Sequence, residues 1–120
     1  MSRVDVVEYG GKEIIKADLS SAGVNEAVSV MRSASDVIKT KPRKSVLFLA
    51  DVSDVSYSRE TVSGIKDFSI SNNPYIKATA VVGIDGVKQA ILSTLRFISL
   101  HEIKTFDTEI EAKDWLSKVQ

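Results

Sequence analysis

Residues 45–65 read SVLFLADVSDVSYSRETVSGI. Within them Val46-Leu47-Phe48-Leu49-Ala50 is apolar without a break and is stopped by Asp51. A short uninterrupted apolar run between polar turn residues is the pattern of a strand covered on both faces, because alternation arises only where one face meets water. A polar loop with Ser53, Asp54, Ser56 and Ser58 follows, and a helix is expected from Arg59 with Ser58 as its N-cap, a hydroxyl placed to accept from the first free amides. A doubly covered strand that runs through a loop into a helix belongs to an α/β sheet. In such sheets ligands and partners meet the chain at the carboxyl ends of the strands, so the loop and helix start at 51–61 is the first place to expect function.

Before this stretch, residues 4–9 (Val4, Val6, Val7, Tyr9) and 13–19 (Ile14, Ile15, Ala17, Leu19) read as two strands. Gly10-Gly11 between them suits a tight hairpin turn that needs positive φ. The turn-rich DLSSAG at 18–23 leads into a helix capped by Asn25 and running to about Lys39. Val24, Val28, Met31 and Ile38 form one row of it, and Ala27, Val30, Ala34 and Val37 the next, a broad apolar face. Pro42 ends the helix, and Lys39, Lys41, Arg43 and Lys44 read as cations favoured at a helix C-terminus in a solvated linker.

Beyond the central stretch, Val62, Ile65 and Phe68 give the second helix a thin inner row, Gly64 marks a place of close packing, and Asn72-Asn73-Pro74 ends it. IKATAVV at 76–82 is another inner strand, and Gly83-Ile84-Asp85-Gly86 turns into a third helix at about 86–99. That helix carries Val87, Ile91, Leu95 and Ile98 on one row with Ala90, Leu92 and Phe97 beside it, more apolar surface than one packing face uses. Leu92 and Phe97 therefore mark a candidate ligand wall or partner surface. A short strand at 102–106 precedes a last helix, which is capped by Asp107 or Thr108, Thr108 with Glu111 fitting a capping box, and turns Ala112, Trp115, Leu116 and Val119 inward. Val46, Phe48, Val81, Ile91, Leu95 and Trp115 are the expected core. The order β-β-α-β-α-β-α-β-α requires a mixed, mostly parallel five-stranded sheet with right-handed crossovers and an antiparallel N-terminal edge strand, in one domain over 1–120.

Composition removes several chemistries. The chain has no cysteine and a single histidine, His101, so thiol catalysis and multi-histidine metal sites are excluded. Sixteen acidic residues balance sixteen basic ones, which argues against a nucleic-acid binder. No apolar run approaches the roughly 20 residues of a membrane span, and the start MSRVDVVEYGG lacks the apolar region of a signal peptide, so a cytoplasmic location is expected. Gly83-x-x-Gly86 fits neither phosphate-loop pattern and reads as an ordinary βα turn. His101 has no serine and acid at triad spacing and reads as structural. Asp51 and Asp54 read as turn and capping groups and not as a cation site. With no catalytic set in view, the expectation is a protein that is not an enzyme and carries neither cofactor nor metal.

The central strand followed by Asp51-Val52-Ser53, Val55 and Tyr57 resembles the signature of the STAS domain, shared by anti-sigma-factor antagonists and sulphate transporters. AVVG at 80–83 and the ending IKTFDTEIEAKDWL resemble its bacterial SpoIIAA-like branch, which is related in fold to CRAL-TRIO lipid-binding domains. The resemblance implies an α/β fold of the SpoIIAA-like type, a right-handed β-α superhelix. It also implies a regulatory or protein-interaction role, with a protein partner meeting Ser53, Asp54, Ser56, Ser58, Glu60 and Thr61. Regulated members carry an Asp-Ser pair at the helix start where this chain has Arg59-Glu60, so phosphorylation switching at that position is not expected. The alternative is a carrier or sensor of a small apolar or lipid-like ligand, suggested by the surplus apolar surface of residues 87–98 and the CRAL-TRIO relationship. A homodimer is compatible with either.

Overall fold

The computed structural model describes residues 3–56, 58–86 and 89–120, apart from the side chains of Ala90, Ile91 and Thr94. Strands β1 (Val4–Tyr9) and β2 (Lys12–Asp18) form the antiparallel hairpin, with Gly10 at φ 59° and Gly11 at φ 80° making the two-residue turn. Then come α1 (Val24–Ile38), β3 (Val46–Asp51), α2 (Arg59–Asn72), β4 (Ile76–Val82), α3 (Gln89–Ile98), β5 (Glu102–Phe106) and α4 (Glu109–Ser117). The strands lie in the order β1-β2-β3-β4-β5, and every pair after the hairpin is parallel.

Each face of the sheet has its own core. Ile15, Val46, Phe48, Ala50, Val81 and Ile103 point to the side covered by α1, α2 and α3. Ile14, Leu47, Leu49, Ala78, Ala80 and Val82 point to the side where Ala112 and Leu116 of α4 close the layer. Buried faces on both sides are why β3 and β4 read as unbroken apolar runs. Pairing of β3 with β4 shifts register between Val46 and Leu47, which brings Ile76 to the same face as Thr79 and Val81 despite its even position.

Several boundaries differ from expectation. Helix α1 is capped by Gly23 and not Asn25, whose side chain lies exposed inside the first turn. The backbone amide of Ala27 still finds the Gly23 carbonyl at 2.8 Å, so the helix begins where the chain leaves the 18–23 turn. Helix α3 begins at Gln89 and ends at Ile98, inside the expected span, and Val87 lies outside the described residues. Val46, Phe48 and Val81 are buried as expected, whereas Leu95 and Trp115 are half-buried. Trp115 instead flanks the α4 layer, its ring 5.7 Å from that of Phe106. The Ile91 side chain lies outside the described set. Ser58 and Thr108 cap α2 and α4 as expected, each accepting from the backbone amide three residues on. A Cβ at Gly64 would stand 3.0 Å from Met31 Cε, so α2 approaches α1 closely there.

Candidate functional site

The loop after β3 is held from both sides by backbone hydrogen bonds. The amides of Leu19 and Ser21 donate to the carbonyls of Asp51 and Ser53, and that of Ser56 donates to Ala22, tying the loop to the β2–α1 connection. On the other side the Val52 amide donates to the Val82 carbonyl at 2.9 Å. Within the loop Val55 closes a turn onto Val52, with Asp54 in the left-handed region at φ 55°. The β2–α1 connection is itself pinned by Asp18. Burial pushes that carboxyl up, but the Ser20 hydroxyl and amide and the Arg3 charge outweigh it and hold the group below its ordinary range.

These bonds distribute the six proposed partner-facing residues unequally. Ser53 is half-buried against Gly83, and Ser58 is occupied as the α2 cap, accepting from the Thr61 amide at 3.1 Å and lying 3.0 Å from the Thr61 hydroxyl. Thr61 is buried. Asp54, Ser56 and Glu60 are exposed, and Tyr57 lies outside the described residues. Leu92 and Phe97, paired in the sequence reading, part company: Leu92 is 2% exposed and points inward, while Phe97 is 90% exposed.

Behind this loop lies a cavity of about 80 Å³ between the sheet and helices α2 and α3. Phe48, Ala50 and Val81 form its floor, Ile65 and Phe68 the α2 side, and Leu92 and Leu95 the α3 side. Val52, Val55, Ser56 and Thr61 close one end, so the loop and the third helix, two separate expectations of the sequence, border one space. Among the described residues its lining carries no lysine, arginine or carboxylate. Helix α2 has only Thr61 and Asn72 fully buried along its length, and its thin apolar row leaves the layer incompletely filled.

Thr79 of β4 and Ser99 and His101 of the α3–β5 connection border this space, although its surface is almost wholly apolar. The Thr79 hydroxyl and His101 Nε2 lie 2.9 Å apart. Ser99 Oγ and His101 Nδ1 are buried and have no protein partner among the described residues. Burial, with the Lys44 charge nearby, pushes the His101 imidazole down to about 4, so the ring is neutral near pH 7. The contact with Thr79 holds one ring nitrogen and leaves the second without a partner among the described residues. His101 stands out in the sequence as the single histidine, and the hint of its partner is Thr79, a polar residue inside the buried run IKATAVV, which has to find a partner within the fold.

The chain aligns over 94% of its length with 91% of an uncharacterized protein from Shewanella loihica PV-4, of the DUF3478 family, described as having a SpoIIAA-like fold, at a TM-score of 0.74 and 11% sequence identity. The fold is SpoIIAA-like. At this identity the likeness is one of architecture. No protein-family model and no curated protein matches the chain. No helix among the described residues is long and apolar enough to cross a membrane.

Proposed function

We propose that the protein is a non-enzymatic binding module that takes a small, mainly apolar ligand between its sheet and helices α2 and α3. The observation that carries this reading is the apolar cavity bordered by Leu92, Val81 and the end of the 51–61 loop. An unfilled space of this size costs about 2 kcal/mol at the ~24 cal/mol per Å³ found for core cavities, and one larger side chain on the floor could remove it. Its volume is below the ~300–1,000 Å³ of drug-sized ligand sites, so the occupant has few heavy atoms unless α2 and α3 part to admit more. Methyl NMR with benzene as the probe tests the reading: saturable shifts at Leu92, Val81 and Ile65, abolished in Leu92→Asp and kept in Phe97→Asp, are expected. Absence of any saturable shift in the wild type overturns it.

A second reading, an interaction module, is favoured by a different observation. Ile70, Phe97 and Leu100 are 58%, 90% and 75% exposed. Asn73 ties their neighbourhoods together, its side chain donating to the Ile98 carbonyl and accepting from the Leu100 amide. These residues lie at the ends of α2 and α3 that feed β4 and β5, opposite the 51–61 loop where a partner was first expected. Sedimentation velocity with wild type, Phe97→Asp and Glu60→Ser distinguishes the surfaces. Self-association lost only in Phe97→Asp supports a homodimer through the apolar patch. A partner retained from host lysate by Phe97→Asp and lost by Glu60→Ser supports the loop.

A further inference from the structure

We infer that the end of the molecule where β3, β4 and β5 begin docks on an anionic lipid surface. This rests on the second reading above, the interaction module, and gives its apolar patch of Ile70, Phe97 and Leu100 a partner of stated chemistry. Three loops meet at this end, 39–45, 73–75 and 99–101, and together they hold four cations, Lys39, Lys41, Arg43 and Lys44, and no carboxylate. Hydrogen bonds join them into one surface. Lys39 Nζ donates to Ser71 Oγ at 2.6 Å, beside Ile70, and the Lys44 amide donates to the Pro74 carbonyl at 3.0 Å. Asn73 bonds onward to Ile98 and Leu100, and the Lys44 charge acts on His101, next to Leu100. Arg43 and Lys44 are exposed and have no ion-pair partner among the described residues. The acids nearby are Glu13, held by Lys41 at 3.0 Å, Glu102 at the start of β5, and Asp36 and Asp67 about one turn back on α1 and α2. A chain of zero net charge therefore still has basic loops at this tip.

Cations alone would suit any polyanion, and the exposed apolar side chains decide among them. Phe97 is 90% and Leu100 75% exposed, so each stands clear of its own protein. A bilayer interface takes in such a side chain without a matching pocket, whereas a protein partner has to supply one. Nucleic acid gains from aromatic rings on which bases stack, and Ile70 and Leu100 have none. Attachment to a membrane surface adds apolar burial to attraction for acidic headgroups, and stable anchoring takes two signals. Both signals lie within this tip.

The experiment is cosedimentation of the wild type, the double variant Arg43→Gln with Lys44→Gln, and Phe97→Ser with two kinds of vesicle. One kind is phosphatidylcholine alone and the other is phosphatidylcholine mixed with phosphatidylserine. Sedimentation velocity of the same proteins without lipid runs beside it. All three substituted side chains are exposed, so the fold is expected to survive. The wild type should bind the mixed vesicles at low salt, leave them as salt rises, and ignore phosphatidylcholine alone. Loss of both cations should weaken binding about thirtyfold, at about fivefold each. Phe97→Ser should weaken it about tenfold. Lipid composition and salt test the wild type and need no variant to fold. Equal binding to both kinds of vesicle, indifference to salt, or binding untouched by either variant overturns the lipid surface. Duplex DNA bound more tightly than the mixed vesicles also overturns it, in favour of a general polyanion site. Self-association lost in Phe97→Ser, with no vesicle binding, overturns the lipid surface and leaves the interaction module intact. Absence of both vesicle binding and self-association overturns the lipid surface and the apolar patch as an interaction site together.

Discussion

Gly83 shows how a single residue sets the position of the loop beside the cavity. Its φ of 87° lies where side chains are strained, and a Cβ there would stand 2.1 Å from Ser53 Oγ and 2.7 Å from the Ser53 amide nitrogen. A Gly83→Ala variant meets both the backbone penalty and a clash that only a shift of the β3–α2 loop relieves. We expect a loss of about 1–3 kcal/mol in urea unfolding, with amide shifts concentrated at 51–56. A loss under about 0.5 kcal/mol would show that the loop is not held against this turn. His101 acts at the same scale through protons. Its folded value is depressed to about 4 from an ordinary 6.5, so between these the unfolded chain binds the proton more readily than the folded one. Stability therefore falls as pH drops through this window and is fully present above it. For a partly exposed ring the loss is about 1–2 kcal/mol after screening is allowed for. If the ring is responsible, the urea midpoint of the wild type should fall across this range relative to that of His101→Phe, whichever of the two is higher at neutral pH.

The elements themselves separate what the chain states locally from what it states only in assembly. Ser58 before Arg59 and Thr108 before Glu109 were legible as caps because the signal is a side chain within three residues of its target amide. Ser58→Ala should cost about 1 kcal/mol in urea unfolding, and no change there would mean that the Thr61 amide finds another acceptor. Strands β3 and β4 were legible because both faces are covered. The start of α1 was not, since Asn25 and Gly23 are both acceptable caps and the choice falls to the turn bonded against the 51–56 loop. The outcome at α3 has a similar cause. Its sequence announces surplus apolar surface, but whether Leu92 or Phe97 meets the interior depends on how the helix rotates over the sheet. The same limit applies to the bond between Thr79 and His101, which is made by the pairing of β4 with β5, where Thr79 stands opposite Ile103.

At the scale of the molecule, the two layers are unequal, and the inequality bears on function. The α4 layer is closed by Ala112 and Leu116, both without exposed surface, against six buried residues of the sheet. The α1–α3 layer holds the larger cluster and also the cavity. Phe48 links the floor to α2, its ring 5.3 Å from that of Phe68, and Phe48→Ala should cost about 3–5 kcal/mol in urea unfolding. A cost below about 1 kcal/mol would contradict the placement of Phe48 in this core. Enlarging the void tests packing, whereas filling it tests purpose. Ala50 lies on the cavity floor in β3, 7% exposed, and a valine there adds two methyl groups toward the space while suiting the strand. If the cavity is kept for a ligand at the expense of stability, Ala50→Val should raise the unfolding free energy of the free protein by about 0.5–2 kcal/mol and abolish the benzene-induced shifts. If the space is instead a place where the fold tolerates no extra volume, the same substitution should destabilise by about 1–3 kcal/mol through overpacking. The sign of one urea-unfolding difference therefore decides whether this layer is unfilled because it must admit something or because its helices can approach no further.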